Sequence, residues 1–324
     1  MFFVVTCITV NFINSLSLQI LMVYIKRQVE DGRMYYLLVE SVRKDGKVVQ
    51  NILKRFGSAS EMLDYCERHN LKAPNIELIE KHLAERIEKM FDELNSLRPL
   101  PKQTLESLKK KFEIEMTYHS NAIEGNRLTL KETYLVLERG ITIGGRSMRE
   151  HLEATNHKEA LFEVEKIVKQ KKIAEKDILD LHAVILDKIK PEWAGFYRNG
   201  PVAITLSKHR PPSYKEVPKL IGEVVNLLNK HVEGTKAVES AAEIHHKLVH
   251  IHPFWDGNGR LARLLMNIKL MQSGFPPIIL RKQERVSYYN ALEKADVGDF
   301  GPLTTMIAKD VVKSLDIYLK TIKD

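Results

Sequence analysis

The chain has 324 residues, 44% of them hydrophobic and 28% charged, enough for two or three domains and wrong for a disordered or membrane-embedded protein. Fifty Lys and Arg against forty-two Asp and Glu leave a formal charge of +8, compatible with a polyanionic partner such as a nucleotide but too dilute to demand one. Two cysteines, Cys7 and Cys66, exclude a disulfide framework and a four-cysteine zinc centre, and point to a reducing, cytoplasmic setting.

Lys26 is the first charged residue. Met1 to Val10 is apolar, yet it lacks the basic residues that precede a secretory core, and Asn11, Asn14, Ser15 and Ser17 interrupt it as a membrane span. No stable membrane insertion is expected. Residues 1–21 read as an uncharged extension ahead of a working start at Met22; a weak anchor and a poorly packed tail are the other readings. Next comes a small module over 22–74. Tyr36–Lys44 and Lys47–Phe56 flank Asp45-Gly46, a two-residue hairpin turn, and Ser58-Ala59-Ser60-Glu61 has capping-box spacing for a short helix. Lys44, Lys47, Lys54 and Arg55 give the hairpin a basic face; a solvated face is favoured over nucleic-acid binding, because no interleaved aromatics form a stacking platform.

From about Pro74 the pattern turns helical, so the fold class is mainly α, with a helical region over 75–140 and a core over 141–324. Pro99-Leu100-Pro101 separates two charged helices, Thr129…Glu132 and Ser147…Glu150 are capping boxes, and Gly140 ends the helix between them. Further helices are expected at roughly 147–170, 176–190, 215–231, 237–251, 258–273 and 299–321, with one irregular stretch from Phe196 to Pro212.

The chemistry concentrates in Ile251-His252-Pro253-Phe254-Trp255-Asp256-Gly257-Asn258-Gly259-Arg260-Leu261-Ala262-Arg263. Ala241, Ile244, Leu248 and Ile251 make one apolar helix face that Pro253 stops, and Leu261, Leu264, Leu265 and Ile268 begin the next. Gly257-Asn258-Gly259 therefore lies at a helix N-terminus, where free N–H groups favour an anion and two glycines allow close approach. His252 is a base for neutral pH, Asp256 a hard oxygen ligand for Mg²⁺, and Arg260 and Arg263 add positive charge one turn apart.

This run resembles the signature of the Fic family, H-P-F-x-[D/E]-G-N-G-R-x-x-R, at every defined position, and the likeness extends over roughly residues 100–310. The resemblance implies a helical bundle with a short β-hairpin flap and transfer of AMP from ATP to a Ser, Thr or Tyr hydroxyl of a target protein or of the chain itself. His252 would be the base and Asp256 the Mg²⁺ ligand. Gly257, Asn258, Gly259, Arg260 and Arg263 would hold the phosphates. Gly195-Phe196-Tyr197-Arg198 resembles the segment ahead of the flap, and the tip Ser207-Lys208-His209-Arg210 would dock the target by strand addition, though it departs from the small tips of the family. Ser120-x-x-x-Glu124-Gly125 resembles the family's N-terminal inhibitory helix motif. Removal of AMP, transfer of another nucleotidyl or phosphoryl group, and a nucleic-acid-binding adaptor with a nucleotide-sensing core are the alternatives. A homodimer is a further partner expectation.

His246 and His250 have the i, i+4 spacing of zinc ligands, but no Glu lies between them as in H-E-x-x-H and no third ligand is obvious; His245 and His250 read as packed or hydrogen-bonded helix residues. Trp193 and Trp255 read as core or rim rather than as adenine platforms.

Overall fold

The computed structural model describes residues 4–8, 19–30, 33–44, 47–57, 59–69, 78–204, 207 and 209–323. The chain divides into two compact units, Met1–Leu78 with Lys294–Phe300, and Ile79–Glu293 with Gly301–Asp324.

In the first unit β1 (Val4–Ile8), β2 (Gln19–Glu30), β3 (Arg33–Lys44) and β4 (Lys47–Phe56) form one antiparallel sheet in chain order, followed by α1 (Ala59–Arg68). The expected hairpin is present, with Lys44 opposite Lys47 and Tyr36 opposite Phe56, but it is only half of the sheet. β2 runs across the expected boundary at residue 21, and its Gln19 and Ile20 pair with Arg43 and Val42. The reason β2 escapes a pattern search is burial on both faces. Ile25 packs with Tyr36, Leu38, Phe56, Met62 and Cys66 on one side, while its neighbour Tyr24 packs with Leu37 and Val39 on the other. A strand covered on both sides shows no polar–apolar alternation. Asp45-Gly46 and Ser58 lie outside the described residues; Glu61 accepts the Gly57 N–H at 2.9 Å ahead of α1.

The second unit is helical: α2 (Lys81–Ser96), α3 (Lys102–Ile123), α4 (Leu130–Arg139), α5 (Met148–Val168), α6 (Glu175–Leu186), α7 (Val217–Asn229), α8 (Gly234–Ile251), α9 (Asn258–Gln272), α10 (Arg285–Asp296, whose last turn passes into the first unit) and α11 (Gly301–Lys323). Both expected capping boxes form, Thr129 with Glu132 before α4 and Ser147 with Glu150 before α5, and Gly140 closes α4 at φ 62°. α10 lies outside the expected helices; its few buried positions, Tyr288, Ala291, Leu292 and Ala295, are diluted by polar residues. The expected division at 140/141 falls in the connection between α4 and α5, inside this one unit.

α9 is the axis of the unit. Its residues from Arg260 through Leu270 are all buried, and Leu261, Leu264, Leu265 and Ile268 join a core supplied by α5, α6, α7 and α8. A helix buried all round must satisfy any charge it carries. Lys269 does so by donating to the carbonyls of Leu227, Leu228 and Lys230 at the end of α7, and its pKa is lowered to about 8, first by burial. No strand is assigned among the described residues of 201–213, where the β-hairpin flap is expected; residues 205, 206 and 208 lie outside the described residues. No helix among the described residues is long and apolar enough to cross a membrane.

Candidate active site

α8 ends at Ile251, and His252 caps it in the left-handed region at φ 50°. The loop to α9 is tied down from inside. Asn258 donates through Nδ2 to the Phe254 carbonyl at 2.8 Å and accepts the Phe254 N–H at 3.0 Å. Its side chain is thus committed to the loop, and what it offers a ligand is a backbone N–H in the first turn of α9. Gly257 adopts φ 81°, and a side chain there would strike His182. At Gly259 a Cβ would meet the Glu124 carboxylate, so the absence of a side chain lets Glu124 lie against the start of α9.

His182, which sequence reasoning passed over, and Arg198, given there only as part of the segment ahead of the flap, brace this loop. His182 on α6 accepts the Gly195 N–H at Nδ1, which leaves its Nε2–H to donate to the Asp256 carbonyl at 3.0 Å, and its ring stacks on Phe254 with centroids 3.6 Å apart. Burial lowers its pKa to about 4, so the tautomer is fixed and neutral. Arg198 is 2% exposed and donates to the carbonyls of His252 (2.8 Å), Gly200 (2.9 Å) and Pro212 (2.6 Å), joining the catalytic loop to the base of the flap. A buried arginine whose partners are backbone carbonyls leaves no pairing signal in the sequence; its place in the Gly-x-x-Arg segment was the available hint.

His252 is mostly enclosed. Burial lowers its pKa to about 4, against the Val249 carbonyl and the Glu124 carboxylate, which raise it, while Arg198 and His209 lower it further. At neutral pH it is an unprotonated base, and an anionic phosphate chain arriving nearby would strengthen its basicity. Asp256 accepts the Gly257 N–H at 2.6 Å and Arg260 Nη2 at 3.2 Å on Oδ1, and Arg149 Nη2 at 2.9 Å on Oδ2. Burial pushes its carboxyl up, but Arg260, the Gly257 N–H and Arg149 together hold it below the ordinary carboxylate range. One ionised carboxylate beside a phosphate cradle fits the donor set of Mg²⁺, which takes one or two carboxylates and completes its shell from phosphates and water.

Arg260 and Arg263 are 2% and 5% exposed. Arg260 Nε and Nη1 and Arg263 Nη1 are buried without a hydrogen-bond acceptor among the described residues, although Glu153 lies 3.7 Å from Arg260 Nη1. Buried guanidinium N–H groups at a helix N-terminus fit a polyphosphate. Arg263 otherwise donates to Ser120 Oγ and to the Ser120 carbonyl, each at 2.9 Å, and to Glu124 Oε1 at 2.8 Å. Glu124 is the C-cap of α3, and Gly125 turns the chain away behind it at φ 101°. Ser120 and Glu124, which lie 143 and 139 positions before Arg263 in sequence, are therefore in direct contact with it.

The flap residues behave differently. Lys208 lies outside the described residues, Arg210 is exposed and Ser207 is half-buried. His209 is half-buried, with its Nε2 2.7 Å from the His250 carbonyl, a contact that ties this segment to α8.

The Fic/DOC family pattern matches residues 172–270. The solved structure of C. elegans Fic-1 is 35% identical and superposes with a TM-score of 0.66, over 74% of this chain and 72% of that one. The chain belongs to the Fic/DOC family. A Fic-domain signalling protein of Bacteroides thetaiotaomicron is 29% identical, with a TM-score of 0.67 over 74% of this chain and 97% of its own. The protein adenylyltransferase Fic of Nematostella vectensis is 38% identical over 249 residues; this Fic chain spans 58% of its length, and 50% of that of the Drosophila erecta protein. Residues 23–96 match a second pattern, that of the IS1634 family transposase N-terminal domain.

Proposed function

We propose that this Fic protein is an adenylyltransferase that rests in an inhibited state. The observation that carries the reading is a base, an ionised carboxylate and two buried arginines gathered around the N-terminus of α9, with Glu124 seated on Arg263 and against Gly259. The relatives named adenylyltransferases support it.

The target hydroxyl attacks the α-phosphorus of ATP, the bond from that phosphorus to the pyrophosphate oxygen breaks, and the hydroxyl proton passes to neutral His252. The first-turn N–H groups of α9, Arg260 and Arg263 hold the phosphate chain and the departing pyrophosphate. Asp256 would hold Mg²⁺, which when bound would neutralise charge on the phosphates. Glu124 puts a carboxylate where a terminal phosphate must be received, so the chain cannot lie in line for attack until α3 releases Arg263.

Intact-mass spectrometry of wild type and Glu124→Gly with Mg²⁺ and each nucleoside triphosphate tests this. A gain of one adenylyl group on the variant or an added target, specific to ATP, is expected. No adduct with any nucleotide on a panel of targets would overturn the reading.

The match of residues 23–96 to a transposase domain favours one second reading, in which the N-terminal unit binds nucleic acid. Against it, Arg55 is occupied by Glu30 and the Tyr35 ring, and Lys54 lies over the Tyr65 ring. Salt-dependent DNA retention that disappears on deletion of residues 1–74 would establish it; no retention at low salt would remove it.

A further inference from the structure

The two oxygens of Asp256 are not equivalent. Oδ1 is consumed inside the loop by the Gly257 N–H and Arg260, two partners fixed by the start of α9. Oδ2 is left for a ligand, and it is taken by Arg149 Nη2 at 2.9 Å. Arg149 sits in the first turn of α5, is half-exposed, and is steadied by donation from its Nε to Glu153 Oε1 at 2.9 Å. Its guanidinium therefore bridges two carboxylates, and it reaches the site from α5, whereas the Glu124 contact comes from α3.

A divalent cation and a guanidinium on the same oxygen repel strongly at such separations. The Glu153 anchor raises the cost of leaving, while the exposed stem leaves Arg149 room to swing out. We infer that Arg149 is a positioning residue that competes with the divalent cation for Asp256, so that metal–nucleotide loading requires its displacement independently of Glu124. The inference rests on Asp256 being the metal ligand.

The test is a Mn²⁺ titration read by the electron paramagnetic resonance of free Mn²⁺, on full-length protein saturated with a non-hydrolysable ATP analogue. All samples carry Glu124→Gly and His252→Ala, which removes inhibition and turnover. Adding Arg149→Ala should tighten Mn²⁺ binding roughly three- to tenfold, the range for a half-exposed charge contact. Analogue affinity without metal should stay within about twofold, and Arg149→Lys, a cation without the two-point fork, should fall between. Adding Glu153→Gln to Arg149→Ala should keep the gain, which excludes the freed Glu153 as a new ligand. Unchanged or weaker Mn²⁺ binding in Arg149→Ala, with Asp256→Asn abolishing it, would overturn the inference alone. Mn²⁺ binding that survives Asp256→Asn would overturn the ligand assignment beneath it.

Discussion

Arg260 and Arg263 lie one turn apart on α9 and are equally buried, yet different parts of the molecule hold them. Arg260 is kept by Asp256 and Glu153, side chains of its own loop and of α5. Arg263 is kept by Ser120 and Glu124, both from α3. Removing one partner of a buried pair leaves a charge to be satisfied, and for Arg263 a phosphate is the natural replacement. Two chemically identical side chains thereby differ in what holds them: Arg260 is kept by its own loop and α5, Arg263 by the end of α3.

The comparison can be broken at several points. His252→Ala spares both arginines, so transfer should fall by roughly 10²–10⁴ while ATP affinity, measured calorimetrically, stays within a few-fold. Equal loss of binding would mean that His252 holds the nucleotide rather than receiving a proton. Glu124→Gly removes the charged contact to Arg263, worth about 1.5–3 kcal/mol, and should raise transfer roughly 10- to 150-fold. A rate unchanged across targets and ATP concentrations would make the two arginines equivalent after all. Ser120→Ala keeps the backbone carbonyl and loses only the hydroxyl contact, so single-turnover rates should rise about threefold to tenfold. A larger rise than in Glu124→Gly would move the control from the carboxylate to the helix itself. The smallest expected effect is on the pH profile of kcat/KM for Glu124→Gly. His252 has its pKa lowered to about 4, so its basic form is present above that value and is lost only as pH falls through it. The profile from pH 6 to 8 should show no histidine step; an inflection near 6.5 would show that the base is solvated.

The catalytic loop was legible because its chemistry is local: base, carboxylate, glycines and arginines fall within twelve residues and sit between two periodic helices. The capping boxes of α4 and α5 were legible for the same reason. The Glu124–Arg263 contact spans 139 positions, and only the resemblance of a short motif pointed to it. His182 and Arg149 left no local trace, and Arg198 only its place in the Gly-x-x-Arg segment, since each acts on backbone carbonyls or on a carboxylate brought close by folding. β2 was obscured by burial on both faces, and α10 by the weak contrast between its two sides.

His252 also carries a thermodynamic burden. Its left-handed backbone costs an L-residue with a Cβ roughly 1–2 kcal/mol, and a glycine much less. The loop therefore gives up folding free energy at the residue proposed as the base. His252→Gly should melt above His252→Ala while being as inactive, and selection for thermal stability alone would drive this position toward loss of catalysis.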